Sequence, residues 1–214
     1  MRLIKLFLMW LGLLAGAAIA QTAPASVAAP DPQNILHLQL STGGEVVIAM
    51  RPDKAPASVE RIRTLARAGF YDGVVFHRVI EGFMAQTGDP KGTGEGGSPL
   101  PDLKAEFNDL PHLRGVVSMA RTDAPDTANS QFFICFQPTI RLDGKYTAFG
   151  RVISGMQFVD AIARGDADGR VLVDPSKVVR AWIEADGPNA PRVALIVPVA
   201  PLAPLAAEAP KPNN

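Results

Sequence analysis

Apolar positions in this chain recur mostly at every second residue, in short runs broken by glycine and proline. "ILHLQL" (35–40) alternates, "STGG" (41–44) supplies a turn, and "EVVIAM" (45–50) follows. Period-two patterning on both sides of a glycine-bearing turn predicts a β-hairpin. Further strand-like runs lie at 74–80, 83–87, 116–120, 131–136, 147–152 and 178–183, which brings the total to eight. Two segments carry a helical period instead. In "PASVERIRTLARAG" (56–69), Val59, Ile62, Leu65 and Ala66 share one stripe, with Ser58 near the start and Gly69 as the stop. In "SGMQFVDAIARG" (154–165), Met156, Val159 and Ile162 do the same, and Gly165 ends the run. Eight short strands and two helices predict a mainly β fold. The expected form is a closed eight-stranded antiparallel β-barrel capped by two α-helices, because closure leaves no sheet edge exposed.

The two ends of the chain follow other rules. Arg2 and Lys5 precede the apolar stretch "LFLMWLGLLAGAAIA" (6–20), which finishes in the small-residue pattern Ala18-Ile19-Ala20. That is the three-part pattern of an export signal, with cleavage expected before Gln21. The uncharged stretch is shorter than the ~20 residues of a membrane-spanning helix, so a cleaved signal is expected rather than an anchor. The mature protein is then periplasmic or secreted, with no lasting membrane insertion. Residues 21–33 form an Ala/Pro-rich linker, and 34–186 form the folded unit. Residues 187–214 hold seven prolines and read as a Pro/Ala-rich tail, in which "VALIV" (193–197) is the part suited to pack.

Charge and special residues remove several function classes. The full chain has 21 basic and 21 acidic residues, and loss of Arg2 and Lys5 leaves 19 against 21, a net charge of −2. No basic excess points to nucleic acid. The single cysteine, Cys135, cannot form an intrachain disulfide, and within "QFFICF" it reads as a small packed residue. The three histidines lack partners at metal-site spacing, and neither a G-x-S-x-G elbow nor a P-loop occurs. "GTGEGG" (92–97) satisfies the dinucleotide fingerprint formally, but it runs into Ser98-Pro99-Leu100-Pro101. No helix can open there to receive a pyrophosphate, so the segment is a glycine loop. No cofactor and no metal are expected, and the protein is expected to be a monomer.

Strand parity points to a groove. Arg78 shares a face with Phe76 and Ile80, Met84 shares one with Gln86, and Gln131 shares one with Phe133 and Cys135. Several faces that mix polar with large apolar groups, in one barrel, suggest an apolar floor edged by a few hydrogen-bonding side chains.

The segments "FHRVIEGFMAQTGD" (76–89), "VVSMA" (116–120), "NSQFFICF" (129–136) and "LDGKYTAFGRVISGM" (142–156) resemble the cyclophilins, prolyl isomerases built on an eight-stranded barrel. The resemblance spans about 35–184, and its motifs occur in the family's order. It implies that Arg78 is the catalytic arginine and that Gln86 holds its orientation. Phe83, Met84, Phe133 and Leu142 would form a proline pocket. Gln131 and the backbone around Ala120 and Arg121 would hold the peptide, with His77 and Tyr146 at the groove edge. The chain departs from the family at Thr87, where a glycine is frequent, and at Arg121, where asparagine is frequent. Arg141 replaces the tryptophan of cyclosporin-sensitive members, which implies weak inhibition by that drug, and Tyr146 replaces a common histidine.

The chemistry so implied needs no nucleophile. Amide resonance sets a barrier of ~18–20 kcal/mol to rotation about an X-Pro bond, and isomerisation is slow enough to limit folding. A catalyst has only to favour the twisted amide over both planar forms. The expected partners are proline-containing polypeptides, clients of an exported folding catalyst. A module that binds such segments with little turnover is the alternative, and the presence of both Arg78 and Gln86 favours the enzyme.

Overall fold

A computed structural model describes residues 29–197. The expected export signal (1–20), linker residues 21–28 and the tail beyond 197 lie outside the described residues. The chain opens with a 3-10 turn, Pro32–Asn34, and then forms β1 (Ile35–Leu40) and β2 (Gly44–Met50), the hairpin predicted from alternation. There follow α1 (Pro56–Arg67), β3 (Arg78–Ile80), β4 (Met84–Thr87), β5 (Val116–Met119) and β6 (Phe132–Cys135). A second 3-10 turn, Ile140–Leu142, precedes β7 (Ala148–Ser154), α2 (Met156–Asp160) and β8 (Val178–Ile183).

All strand pairs are antiparallel, in the order β3-β4-β6-β5-β7-β2-β1-β8. The sheet is therefore an open, strongly curled one with edges at β3 and β8, and not the closed barrel expected from strand counting. The reason lies in the run 74–80, of which only Arg78–Ile80 becomes ladder. Its earlier part bonds across the gap in isolated pairs: Phe76 N–H to Ser176 O (2.8 Å) and Val178 N–H to Val74 O (2.9 Å). Those contacts cover the edges without continuing the sheet, which meets the same need to protect unpaired backbone.

Inward-facing residues make one core. Leu36, Leu38 and Leu40 of β1 meet Val46, Ile48 and Met50 of β2, with Val117, Met119, Phe132, Ile134 and Phe149 from the other strands. Onto it α1 lays Val59, Ile62, Leu65 and Ala66, the stripe read from the sequence. Burying side chains of this size stabilises by roughly 1.5–3 kcal/mol each before conformational entropy is subtracted. The start of α1 is capped from a distance. Ala55 at the N-cap has no side-chain acceptor, and the Glu106 carboxylate accepts instead from Ala57 N–H (2.8 Å), Ser58 N–H (2.8 Å) and the Ser58 hydroxyl (2.7 Å). The second helix is shorter than its pattern suggested, ending at Asp160, although Ile162 beyond it remains buried. It begins after Gly155, whose φ of 84° and closeness to the Glu45 carbonyl exclude a side chain.

The chain after β8 stays on the surface of the domain. Arg192 donates to Ala66 O (3.0 Å) and Ala181 O (2.9 Å) and pairs with Asp72, while Val193 N–H donates to Arg67 O (3.0 Å). Within 193–197, Leu195 packs on the core and Val193, Ile196 and Val197 are exposed.

Candidate active site

The alternation that sends Phe132 and Ile134 of β6 inward sends Phe133 and Cys135 outward. On β4, Ala85 points in, and Met84 and Gln86 point out. A row of register partners, Arg78 opposite Gln86, Gln86 opposite Phe133, and Phe133 opposite Ser118, crosses four strands on this outer face. The face is not left to solvent. The second 3-10 turn and the segment after β5 fold over it, and Met84, Ala120, Phe133, Cys135 and Leu142 form a separate apolar cluster. Ile80, Phe83 and Tyr146 pack against that cluster. The groove thus lies on the outside of the curled sheet, beside its end and not within its lumen.

A cavity of ≈ 300 Å³ opens on this cluster. Nine of the expected site residues line it together: Arg78, Phe83, Met84, Gln86, Ala120, Arg121, Phe133, Leu142 and Tyr146, with Arg141 beside them. Its floor is rigid. The Phe133 ring is held edge-on by Tyr146 (5.8 Å between centroids) and stacked on His112 (6.2 Å). Arg78 has no side-chain hydrogen bond or ion pair among the described residues, so its donors face the cavity unsatisfied by protein.

Gln86 and Gln131 tie this cavity to its neighbours. Gln86 Nε2 donates to Gln131 Oε1 (2.8 Å), and Gln131 Nε2 donates to Gly94 O (2.9 Å) and Gly96 O (2.8 Å). Gln86 therefore stands opposite Arg78 with its amide donor engaged by Gln131, and its Oε1, the only atom of its side-chain amide that could accept from the arginine, receives no bond from it. An adjoining cleft of ≈ 580 Å³ shares Gln86, Ala120 and Arg121 and carries Gln131. On the other side, His77 lines a depression of ≈ 510 Å³ with Arg78, Asp168 and Arg170. His77 is buried at 7 % exposure, and neither ring nitrogen has a partner among the described residues. Burial lowers its pKa, so the ring stays neutral to lower pH than a free histidine.

The glycine loop owes its shape to Asp89, which is fully buried. The carboxylate accepts from Lys91 N–H (2.8 Å), Thr93 N–H (2.9 Å) and Gly94 N–H (2.7 Å). Burial alone would raise its pKa, but backbone donors from Lys91, Gly96 and Gly94, with the Thr93 hydroxyl, outweigh this and hold it at about 2. "GTGEGG" is thus a carboxylate-wrapping loop. A side chain at Gly96 would meet the Asp89 carboxylate, and one at Gly88 would strike the Ser130 carbonyl. The loop in turn presents the carbonyls that orient Gln131.

Sequence reasoning missed one network. Asp143 Oδ1 lies 2.8 Å from His112 Nδ1, and His112 Nε2 lies 3.1 Å from Ser118 Oγ. These are the contacts of a serine–histidine–aspartate relay. Ser118 and His112 are buried behind Phe133, however, so no substrate carbonyl reaches the hydroxyl. The network holds the aromatic floor. Only Ser118, a polar residue inside "VVSMA", hinted at it. Cys135 is buried in the same cluster, and burial followed by the nearby Asp143 charge pushes its thiol up to about 12, which makes it unreactive. Among the described residues no His, Cys, Asp and Glu groups converge as a metal site.

The profile of the family described as cyclophilin type peptidyl-prolyl cis-trans isomerase/CLD matches residues 36–182. A probable peptidyl-prolyl cis-trans isomerase of Brucella suis is 46% identical over 181 residues, covering 79% of this chain and 92% of the relative. A peptidyl-prolyl cis-trans isomerase of Schizosaccharomyces pombe is 41% identical over 152 residues, covering 68% and 97%. Among solved structures, a cyclophilin from Hirschia baltica aligns with a TM-score of 0.66 at 29% identity, over 73% of this chain and 76% of that one. A cyclophilin-type isomerase from Cryptosporidium parvum, crystallised in the presence of the dipeptide Ala-Pro, aligns at 0.65 and 28%, over 70% and 98%. With the matched profile spanning more than two thirds of its length, the chain belongs to the cyclophilin-type peptidyl-prolyl cis-trans isomerases.

Proposed function

We propose that this isomerase acts on X-Pro bonds of exported polypeptides and that Arg78 is its catalytic residue. In a planar amide the prolyl nitrogen lone pair is delocalised into the carbonyl. In the twisted amide it returns to nitrogen and can accept a hydrogen bond. A guanidinium poised there binds the twisted state better than either planar one, which is the condition for catalysis. Arginine suits the task because it stays charged and offers a rigid fork of donors. The observation that carries this reading is Arg78, free of protein partners among the described residues, at the wall of a cavity whose floor of Met84, Phe133 and Leu142 is apolar. There the proline ring would be gripped while the carbonyl side rotates. Gln86, with its donor engaged by Gln131, leaves Oε1 free, and that oxygen would accept from Arg78 once a substrate draws the guanidinium in. Gln131, Ala120 and Arg121 would hold the peptide backbone along the adjoining cleft, with His77 and Tyr146 at its borders.

Such a bond in a desolvated groove is worth about 2–4 kcal/mol of transition-state stabilisation. Arg78→Ala should therefore lower isomerisation of an Ala-Pro peptide by roughly 30-fold to 1000-fold while leaving the fold and most of the affinity intact. Phe133→Ala should weaken binding as well as rate, because the ring contacts proline in every state. Circular dichroism, a peptide titration and exchange NMR distinguish these outcomes. An Arg78→Ala variant as fast as the parent would make the groove a binding module rather than the seat of turnover. The apolar segment at 6–20 supports export, and the cleaved chain would then work as a monomer outside the cytoplasm.

A further inference from the structure

Three guanidiniums line the proline cavity, and no carboxylate lines it. Arg121 is clamped in place. Its Nε and Nη2 donate to Lys145 O (3.1 and 2.9 Å), its Nη1 donates to Thr122 O (2.8 Å) and Asp123 O (3.0 Å), and its plane lies 4.6 Å from the Tyr146 ring. Every acceptor is a neutral carbonyl, so the charge is fixed but not compensated. Arg141 is exposed, sits 4.7 Å over the Phe83 ring, and has no hydrogen-bond or ion-pair partner among the described residues. Of the acids close to these residues in sequence, Glu81 pairs with Arg164, Asp143 with His112, and Asp126 accepts from Ala105 N–H, while Asp123 is exposed and does not line the cavity.

The adjoining end of the groove shares Arg121 but adds two carboxylates. The adjoining cleft is walled by Glu95 and Asp102. Asp102 accepts from Asn129, and Glu95 is exposed without a cationic partner among the described residues. An apolar pocket for a proline ring needs one guanidinium at the reacting amide, not three. The second and third repel each other and the first unless a ligand balances them.

On the reading that the groove isomerises X-Pro bonds, we propose that it selects segments by charge asymmetry. An acidic side chain within two residues of the proline sits on the Arg141 side, and a basic or neutral one sits towards Glu95 and Asp102. Arg141 is the specificity-determining residue, since its guanidinium is stacked but otherwise uncommitted.

Two peptides of identical composition test this: Ac-Ala-Glu-Ala-Pro-Ala-Lys-Ala-NH2 and its reversal, Ac-Ala-Lys-Ala-Pro-Ala-Glu-Ala-NH2. Exchange NMR gives the isomerisation rate and a titration gives the affinity, each at low and high salt. One order should be favoured on the order of threefold to tenfold at low salt, the size expected of one semi-exposed charge pair, and the preference should shrink as salt screens it. Arg141→Gln should reduce the ratio towards one, and Arg141→Glu should invert it. Equal handling of the two peptides overturns the proposal, and a ratio unchanged in Arg141→Gln overturns the assignment to Arg141. Unequal binding without isomerisation of either peptide would leave the charge selection standing and overturn the catalytic reading alone. Neither binding nor turnover would sink both.

Discussion

Asp89 shows how one buried residue shapes the groove without lining its cavity. Its carboxylate gathers the backbone donors of the glycine loop, and the carbonyls of Gly94 and Gly96 then fix Gln131, which fixes Gln86. A carboxyl group held at about 2 when folded, against 3.8 ordinarily, favours the folded state above about pH 4. That contribution is lost as pH falls towards 2, and it amounts to about 2 kcal/mol. Asp89→Asn keeps the shape but replaces an acceptor by a donor among donors. Thermal melts should show a lower Tm at pH 7 and a flatter loss of stability between pH 4 and pH 2. Peptide affinity should fall too, since Gln131 loses its fixed carbonyls. An unchanged acid profile would mean that another group carries the acid sensitivity.

At the scale of elements, α1 carries the clearest dependence on a remote partner. Pro56 suits the first helical position, but Ala55 offers no cap, and the free N–H groups of the first turn are met by Glu106 from the long loop between β4 and β5. A carboxylate there also meets the positive end of the helix dipole. Glu106→Ala should destabilise the domain by about 1–2 kcal/mol, and Glu106→Gln by less, as read by urea unfolding. The same loop lines the groove through residues 94–98, so loss of the cap should also loosen substrate binding. A Glu106→Ala variant as stable as the parent would show that solvent satisfies the helix start equally well.

For the whole molecule, the open sheet is closed off by segments that are not strands. Residues 73–79 bond to the loop before β8, and that loop brings Asp168 and Arg170 beside Arg78. Strand β3, which carries Arg78, is thus held at a sheet edge by both its ladder partner β4 and an irregular neighbour. Beyond the described residues, the mature chain should begin at Gln21. Intact mass of the exported form checks this, and a retained Met1 with tight membrane association would overturn it.

Most element positions, and the buried faces of β1 and α1, follow from the sequence alone, although the extents of β3 and α2 do not. Alternation in "ILHLQL" reports which residues point inward, and in "NSQFFICF" strand parity groups Gln131, Phe133 and Cys135 on one face, because the pleat forces a period of two whatever the fold. The apolar stripe of α1 was legible for the same local reason. The grouping of Arg78, Gln86, Phe133 and Leu142 became legible through motifs shared with a family, since spacing along the chain does not say which strands are neighbours. Long-range pairings come from the fold. The order β3-β4-β6-β5 sets the row from Arg78 to Ser118, and the curl leaves the sheet unclosed at β3 because irregular backbone takes the place of ladder there. Glu106 capping α1, Asp143 holding His112, and Arg121 donating to the Lys145 carbonyl each join residues 24 to 49 positions apart. No local pattern records these pairings, because each is selected by burial and hydrogen-bond satisfaction once the strands have met.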